Sequence, residues 1–532
     1  MANPLTNSAR LAVAGLTLTW YGVALYPRHI PAPLGLRILR VLLFPLRALG
    51  ALIRDPFKKQ STPERLINAL TNLGPTYIKL GQFLATRSDI IGKELANDLS
   101  ALQDNLPPFS QAEAEREIER QLGKPLNQLF ESFGPPIAAA SIAQVHKATI
   151  LEDGVEKQVA VKILRPGIER RFENDQASFR FAAGIIERVS KEARRLRPVK
   201  VVKTLDRSMT IELDLRLEAA ALSELEENTK DDPNFKTPNV VWPLTTQRIL
   251  TTEWIDATPI AKVAELEAAG HDLKQLGTHV LQSFLRQAMR DGFFHADMHP
   301  GNLFIDPAGN LVAIDCGIMG RLSDKEQAFL ARILHGFITR DYREAALAHF
   351  EAGYVPPIHS ADEFAQGLRA IGEPIADRPA SEVSMARFLG QLFEYTAVYD
   401  MKTRPELILL QKNLVIAEGV ARMLNPELNL WRAAEPVVKE WLTAELGPAG
   451  KMRRMARSLK AIDQALDDLP THLARLKATS EGWHRLSSHI NEMDDRDLNS
   501  IFDNHRSSPW PTRAALWIAA LSLAAIAIKQ WF

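Results

Sequence analysis

Asp297 and Asn302 lie within the run HADMHPGN, His295 to Asn302, and Asp315-Cys316-Gly317 follows shortly after. An aspartate, an asparagine five positions later and a second aspartate before a glycine are spaced as the polar half of a phosphoryl-transfer site. The first aspartate can accept the proton of an attacking hydroxyl or orient a water. Asn302 and Asp315 then offer oxygen ligands to metal ions that neutralise nucleotide phosphates. The flanking residues, FFHAD, NLFID and LVAID, are apolar and strand-like, so the acids sit at the ends of a strand–loop–strand unit.

Lys162 closes the alternating run VAVK. A lysine on a strand beside a nucleotide holds the α- and β-phosphates; standing alone, it would be a solvated edge residue. Its weight comes from chain order: strand lysine, then acidic helix, then two acidic loops. Such a lysine needs a carboxylate to fix it. The stretch MTIELDLRLEAA, read as one helix, offers Glu212, Asp214 and Glu218. Asp214 and Glu218 are one turn apart and share a face, whereas Glu212 and Glu218 do not. Glu218 is taken as the partner. Where a kinase carries a glycine-rich phosphate loop, this chain has Ala138, Ala139, Ala140, Ser141, Ile142, Ala143, Gln144, Val145 and His146. Alanine restricts both close backbone approach and flexing, so the loop is expected to be stiffer. By itself such a stretch also reads as a buried helix turn.

These residues need elements to position them, and five regions can be drawn. Residues 1–60 are basic and membrane-proximal. Residues 61–130 form a helical extension that starts at Ser61-Thr62-Pro63-Glu64 and breaks at Gly74-Pro75 and Pro107-Pro108. Residues 131–256 are strand-rich, with VEKQVAVKILRPG, then a helical stretch, then VVWPL and RILTTEWI as further strands. Residues 257–445 are mostly helical around the acidic loops. A basic helical linker, 446–509, leads to a tail at 510–532. The expected fold class is α+β.

Lys plus Arg and Asp plus Glu both number 64, so the field is neutral overall and a nucleic-acid coat is disfavoured. Cys316 is the one cysteine, which excludes an internal disulfide and favours a reducing compartment. Locally the charge is uneven. Arg37, Arg40, Arg47 and Arg54 would share about a third of a helix circumference among apolar residues. That pattern suits a helix on an anionic membrane surface, or one packed on a domain. Lys451, Arg453, Arg454, Arg457 and Lys460 suit lipid headgroups or a solvated helix face equally. Ala514 to Ile528 is a 15-residue apolar run, flanked by Trp510 and Trp531 at a separation of 21 positions. At 1.5 Å per residue that is about 30 Å, so the tail is expected to be a transmembrane anchor. The charge-free run Leu11 to Pro27 lacks a small-residue cleavage site, and export is not expected.

From residue 61 to 445 the chain resembles the UbiB family of atypical, protein-kinase-like proteins. YIKLGQFLATR, LQDNLPP, the alanine-rich loop, VAVKILRPG, ELDLRLEAA, EWIDA, HADMHPGN and DCG carry the resemblance. LILLQKNLVIAEGV and the flanking segments resemble the bacterial ubiquinone-biosynthesis branch. The resemblance implies a two-lobed kinase-like fold that binds ATP or ADP with Mg²⁺, hydrolyses ATP and supports ubiquinone synthesis at the membrane. It implies Lys162 as phosphate-binding lysine, Glu218 as its partner, Asp297 as base, and Asn302 and Asp315 as metal ligands. Glu253 and Trp254 would line the nucleotide from the hinge strand. Lys79 and Gln82 belong to a KxGQ motif, with Glu212 and Asp214 as its acidic counterpart and Glu212 as partner of Lys79. Implied partners are lipid quinone precursors, anionic lipids and other ubiquinone-synthesis enzymes, and the implied location is the cytoplasmic face of a bacterial inner membrane. Ala257 and Ala221 depart from the family's usual glycine and asparagine.

Three features argue against an ordinary protein kinase. Ala296 replaces the arginine that binds an activation-loop phosphate. The capped helix LSDKEQAFLARIL follows Gly317 too closely for a peptide-docking loop. The Lys79 helix, by resemblance, would cover the peptide approach. ATP hydrolysis coupled to lipid handling, or phosphorylation of a small lipid-like substrate, is therefore expected, with a nucleotide-gated scaffold as an alternative. A flavin-dependent ring hydroxylase is disfavoured because no G-x-G-x-x-G joins a strand to a helix.

Overall fold

The structure is a computed structural model and describes residues 4–23, 61–85, 87, 91–102, 106–189, 194, 197–376, 385–401 and 405–446. Residues Met1–Trp441 form one compact unit, which holds every site residue considered below. Of the second, Leu442–Phe532, only residues 442–446 are described. The arginine-bearing segment 37–54, the basic cluster 451–460 and the tail 510–532 lie outside the described residues. Among those described, no helix is long and apolar enough to cross a membrane.

Helix α1, Pro4–Trp20, packs on a later helix, α6, Ile168–Val189, where Arg10 pairs with Asp175 at 3.1 Å. The extension contributes α2 (Thr62–Leu73), α3 (Pro75–Ala85), α4 (Lys93–Ser100) and α5 (Gln111–Leu122). The start of α2 is set by a capping box: Ser61 N–H donates to Glu64, and Glu64 N–H donates back to the Ser61 hydroxyl. Gly74 ends that helix at φ +99°, and Pro75 opens the next.

The strand-rich part is an antiparallel sheet in the order β1-β2-β3-β5, from β1 (Ser132–Ala139), β2 (Ala143–Glu152), β3 (Val155–Leu164) and β5 (Ile249–Glu253). Alternation along β3 decides its two faces. Val159, Val161 and Ile163 point to one side and pack with Ala148, Ile150, Ile249 and Phe130 against Ala114 and Ile118 of α5. Lys162 points to the other. VVWPL does not form a strand: Val240 makes an isolated bridge to Thr252, and Trp242–Leu244 is a 3₁₀ turn. Pro243 cannot donate to a ladder, which is the physical reason.

MTIELDLRLEAA is not one helix either. It splits into α7, Pro198–Glu212, and α8, Leu215–Thr229. The Asp214 side chain caps α8 by accepting from Arg216 N–H at 3.2 Å, and it holds the Arg216 guanidinium at 2.7 and 2.9 Å. Asp214 therefore lies outside the helical face it was expected to share with Glu218.

The helical half runs from α9 (Val263–Ala268) and α10 (Leu273–Arg286) through a π-helical turn, Gln287–Asp291, into β7, Phe293–His295. Short strands β8 (Leu303–Ile305) and β9 (Leu311–Ala313) form a sheet with β4 (Phe235–Lys236) and β6 (Thr258–Pro259). Strand β10, Met319–Arg321, pairs with β7. Helices α11 (Asp324–Thr339), α12 (Tyr342–Glu351), α13 (Ala361–Ala376), α14 (Met385–Val398), α15 (Pro405–Leu424) and α16 (Leu430–Leu446) follow. Gly277 lets α10 approach α15 closely, since a Cβ there would stand 2.6 Å from the Ala421 carbonyl oxygen.

Candidate active site

Strand β3 and helix α8 bring Lys162 to Glu218. The ammonium donates to both carboxylate oxygens, at 2.7 and 2.9 Å, and to Asp315 Oδ2 at 3.1 Å. Glu218 is buried and sits one turn into α8, so the break at Asp214 sets its height on the helix. Burial raises its pKa to about 7, against the pull of Lys162. Glu212 also contributes to that rise. Burial opposes charge on Lys162, but Asp315 and Glu218 outweigh it and hold the ammonium above the usual lysine range. Asp315 is likewise disfavoured by burial. Lys162 and the Gly317 N–H, which donates to Oδ1 at 3.0 Å, keep it well below the usual carboxylate range.

His295 ties the two acidic loops together. Its Nδ1 accepts from Asp297 N–H at 3.0 Å, which leaves Nε2 to donate to the Asp315 carbonyl at 2.5 Å. Burial pushes its pKa down, consistent with a neutral ring. Gln287, delivered by the π-helical turn, accepts from His295 N–H at 3.1 Å. Asn302 donates to the Asp297 carbonyl at 3.1 Å, and its own carbonyl accepts from Ile314 N–H at 3.2 Å. Asn302 is thereby fastened to the residue before Asp315. Cys316, next to Asp315, is buried, and burial raises its thiol well above the ordinary value.

Magnesium fits this donor set. The ion uses one or two protein oxygens and leaves the rest of its shell to phosphates and water. Asn302 commits its amide nitrogen within the loop and keeps a side-chain oxygen to offer, and Asp315 is held ionised beside it. Among the described residues no group of three or more His, Cys, Asp or Glu could hold a metal by itself.

The alanine-rich stretch is a strand–turn–strand, not a helix turn. Ala138 and Ala139 end β1, Ala140 to Ile142 turn, and Ala143 to His146 begin β2. Arg165 clasps the turn by donating to the Ala140 carbonyl at 2.8 and 3.2 Å and to the Pro107 carbonyl at 2.9 Å. Gln144 and His146 are buried in an internal relay: Phe109 N–H donates to Gln144 Oε1, and the His146 ring bonds Gln144 and the Gly134 carbonyl. Both side chains are buried and spend these bonds inside the loop. At the hinge, Glu253 N–H donates to the Asn239 carbonyl and Trp254 N–H to the Gln158 carbonyl.

In the extension, Lys79 meets Glu212 at 2.9 Å, with both side chains mostly shielded. Gln82 instead donates weakly to the Leu102 carbonyl, at 3.4 Å. Gly81 between them allows Leu102 and Leu70 to close on α3. Lys79 and Gln82 lie on the one helix, as their spacing requires, but take different partners.

Sequence reasoning missed Arg165, Gln287, Lys412 and Asn413. Lys412 of α15 stands 3.6 Å from Asp297 Oδ1, and Asn413 Oδ1 accepts from Met298 N–H at 3.4 Å. Residues 298 and 413 are 115 positions apart; both α15 side chains lie in LILLQKNLVIAEGV, which carries a resemblance but no role for either.

A small antiparallel sheet carrying a lysine on a helix glutamate, joined to a helical half with paired acidic loops, defines a protein-kinase-like fold. Residues 101–349 match the ABC1 atypical kinase-like domain, and residues 368–429 match the UbiB helical domain. A probable protein kinase UbiB of Marinobacter nauticus is 41% identical over 434 residues, covering 80% of this chain and 79% of that protein. A probable protein kinase UbiB of Pseudomonas paraeruginosa is 40% identical over 403 residues, covering 75% of each. Among solved structures, the Rv3197–erythromycin complex from Mycobacterium tuberculosis is similar at 25% identity and a TM-score of 0.48, covering 73% of this chain and 95% of that one. The chain belongs to the UbiB family of atypical kinase-like proteins.

Proposed function

We propose that this protein binds ATP with Mg²⁺ and hydrolyses it in support of ubiquinone synthesis, coupling turnover to lipid quinone precursors at a bacterial inner membrane. The observation that carries the reading is the Lys162–Glu218–Asp315 triad, joined through His295 to Asp297. Lys162 would hold the α- and β-phosphates. Asn302 and Asp315 would hold the ion, which offsets phosphate charge when bound. Asp297 accepts the proton of an attacking water or hydroxyl as its oxygen bonds to the γ-phosphorus. The bond to the bridging oxygen breaks, and that oxygen leaves with ADP. Two features support a non-protein client: Ala296 stands where a protein kinase has an arginine, and α11 begins at Asp324, soon after Gly317.

ATPase activity of the purified full chain tests the reading, with and without anionic liposomes and a phenolic quinone-precursor mimic. Turnover is expected and should rise when lipid is present; no turnover under any condition would overturn it. Asp315→Asn should abolish turnover. If that variant still restored quinone synthesis in cells, the protein would act as a nucleotide-gated scaffold instead.

A further inference from the structure

We infer that Lys412, on α15 outside the kinase-like domain, is a further catalytic residue that supplies positive charge to the phosphoryl group at the acceptor side. The inference rests on the ATP reading above. Lys162 cannot serve that side: two carboxylates bind its ammonium at 2.7 to 3.1 Å. Among the described residues, the cationic side chains within 4.0 Å of the Asp297 carboxylate are Lys412 at 3.6 Å and His299 at 3.7 Å. His299 is charged only when protonated and is tied locally, its Nδ1 accepting from Gly301 N–H at 3.0 Å. Lys412 carries an ammonium on a side chain that is 40% exposed.

The long Lys412–Asp297 distance is informative. At 3.6 Å the pair exceeds ordinary hydrogen-bond length, so the carboxylate keeps lone pairs for the proton of an attacking hydroxyl. The ammonium is near enough to meet phosphoryl oxygens arriving beside that hydroxyl. Phosphoryl transfer spreads charge over those oxygens, and a cation placed there stabilises the transition state more than the ground state. Asn413 is buried and braces the same loop at Met298, which holds α15 in register with it. The helical domain thereby completes the site instead of only supporting it.

Replacing Lys412 with Met and with Arg tests this in the full chain, reading kcat, KM for ATP, MgADP affinity by a fluorescent nucleotide, and melting temperature. Lys412→Met should lower kcat about 10²-fold or more, on the order of other lost transition-state donors. MgADP affinity should change less than about threefold, because ADP lacks the γ-phosphoryl group, and melting temperature should hold. Lys412→Arg should recover a substantial part of kcat. An equally active Lys412→Met beside an active wild type would overturn this inference alone. So would a loss of MgADP binding and melting temperature in proportion to the loss of rate, which marks a structural role. An inactive wild type would overturn both this inference and the ATP reading.

Discussion

At the residue scale, the proposed chemistry rests on a lysine shared by two acids whose protonation differs. Asp315 is held ionised, while Glu218 titrates near 7, above its ordinary value of 4.5. Between those two pH values the folded state binds the Glu218 proton more tightly than the unfolded chain does. Stability relative to Glu218→Gln should therefore fall as pH rises from about 4.5 to about 7, as urea denaturation of both proteins at pH 5 and pH 7.5 will show. If the ionised Glu218 is what orients Lys162, the ATPase rate should have an acid limb centred near pH 7 that Glu218→Gln lacks. Asp297→Asn keeps the loop's size and removes its proton acceptor. It should lower kcat about 10²- to 10⁴-fold with melting temperature little changed.

Single elements carry the next set of constraints. Glu212, at the end of α7, meets Lys79 of the extension, and Glu218, in the first turns of α8, meets Lys162 of the sheet. Asp214 holds the break between the two helices as the cap of α8. Asp214→Ala should cost about 1 kcal/mol in chemical denaturation, and it should lower nucleotide affinity if the height of Glu218 matters. Lys79→Ala leaves the shielded Glu212 carboxylate without its cation. Local opening of α3 against α7 should increase, read as faster amide exchange in residues 75–85 and 198–212. Unchanged exchange there would mean that apolar contacts around Tyr77 and Phe179, whose rings meet edge to face at 5.1 Å, hold the extension unaided.

Across the whole molecule, the kinase-like and helical domains share one site because α10 and α15 pack closely at Gly277. A β-branched side chain there meets the Ala421 carbonyl and the Asn425 side chain, so the helices must separate. Gly277→Val should destabilise by about 1 to 3 kcal/mol as an overpacked contact. It should also lower kcat by drawing Lys412 away from Asp297, although residue 277 belongs to neither acidic loop. Calorimetry and ATPase assays on one preparation would separate the two effects, and loss of stability with full kcat would mean α15 does not act on the reaction.

Much of the site is legible in the chain because its parts are short and contiguous. HADMHPGN, DCG and the alternating VAVK bear their residue types at spacings that strands and tight loops require, and Ser61 with Glu64 announces its own helix start. The readings that failed did so where local pattern competes with distant partners. VVWPL has strand-forming residues, yet Pro243 leaves it a bridge and a turn. MTIELDLRLEAA has helical periodicity, yet Asp214 finds a better place as a cap, and the helix breaks. The inward bonds of Gln144 to Phe109 N–H and of His146 to the Gly134 carbonyl are likewise set by distant partners and not by local pattern. Lys412 shows the limit most plainly. Sequence order carries no record that a helix 115 positions on returns to the Asp297 loop, because that approach depends on the close packing Gly277 permits and not on any spacing within either segment.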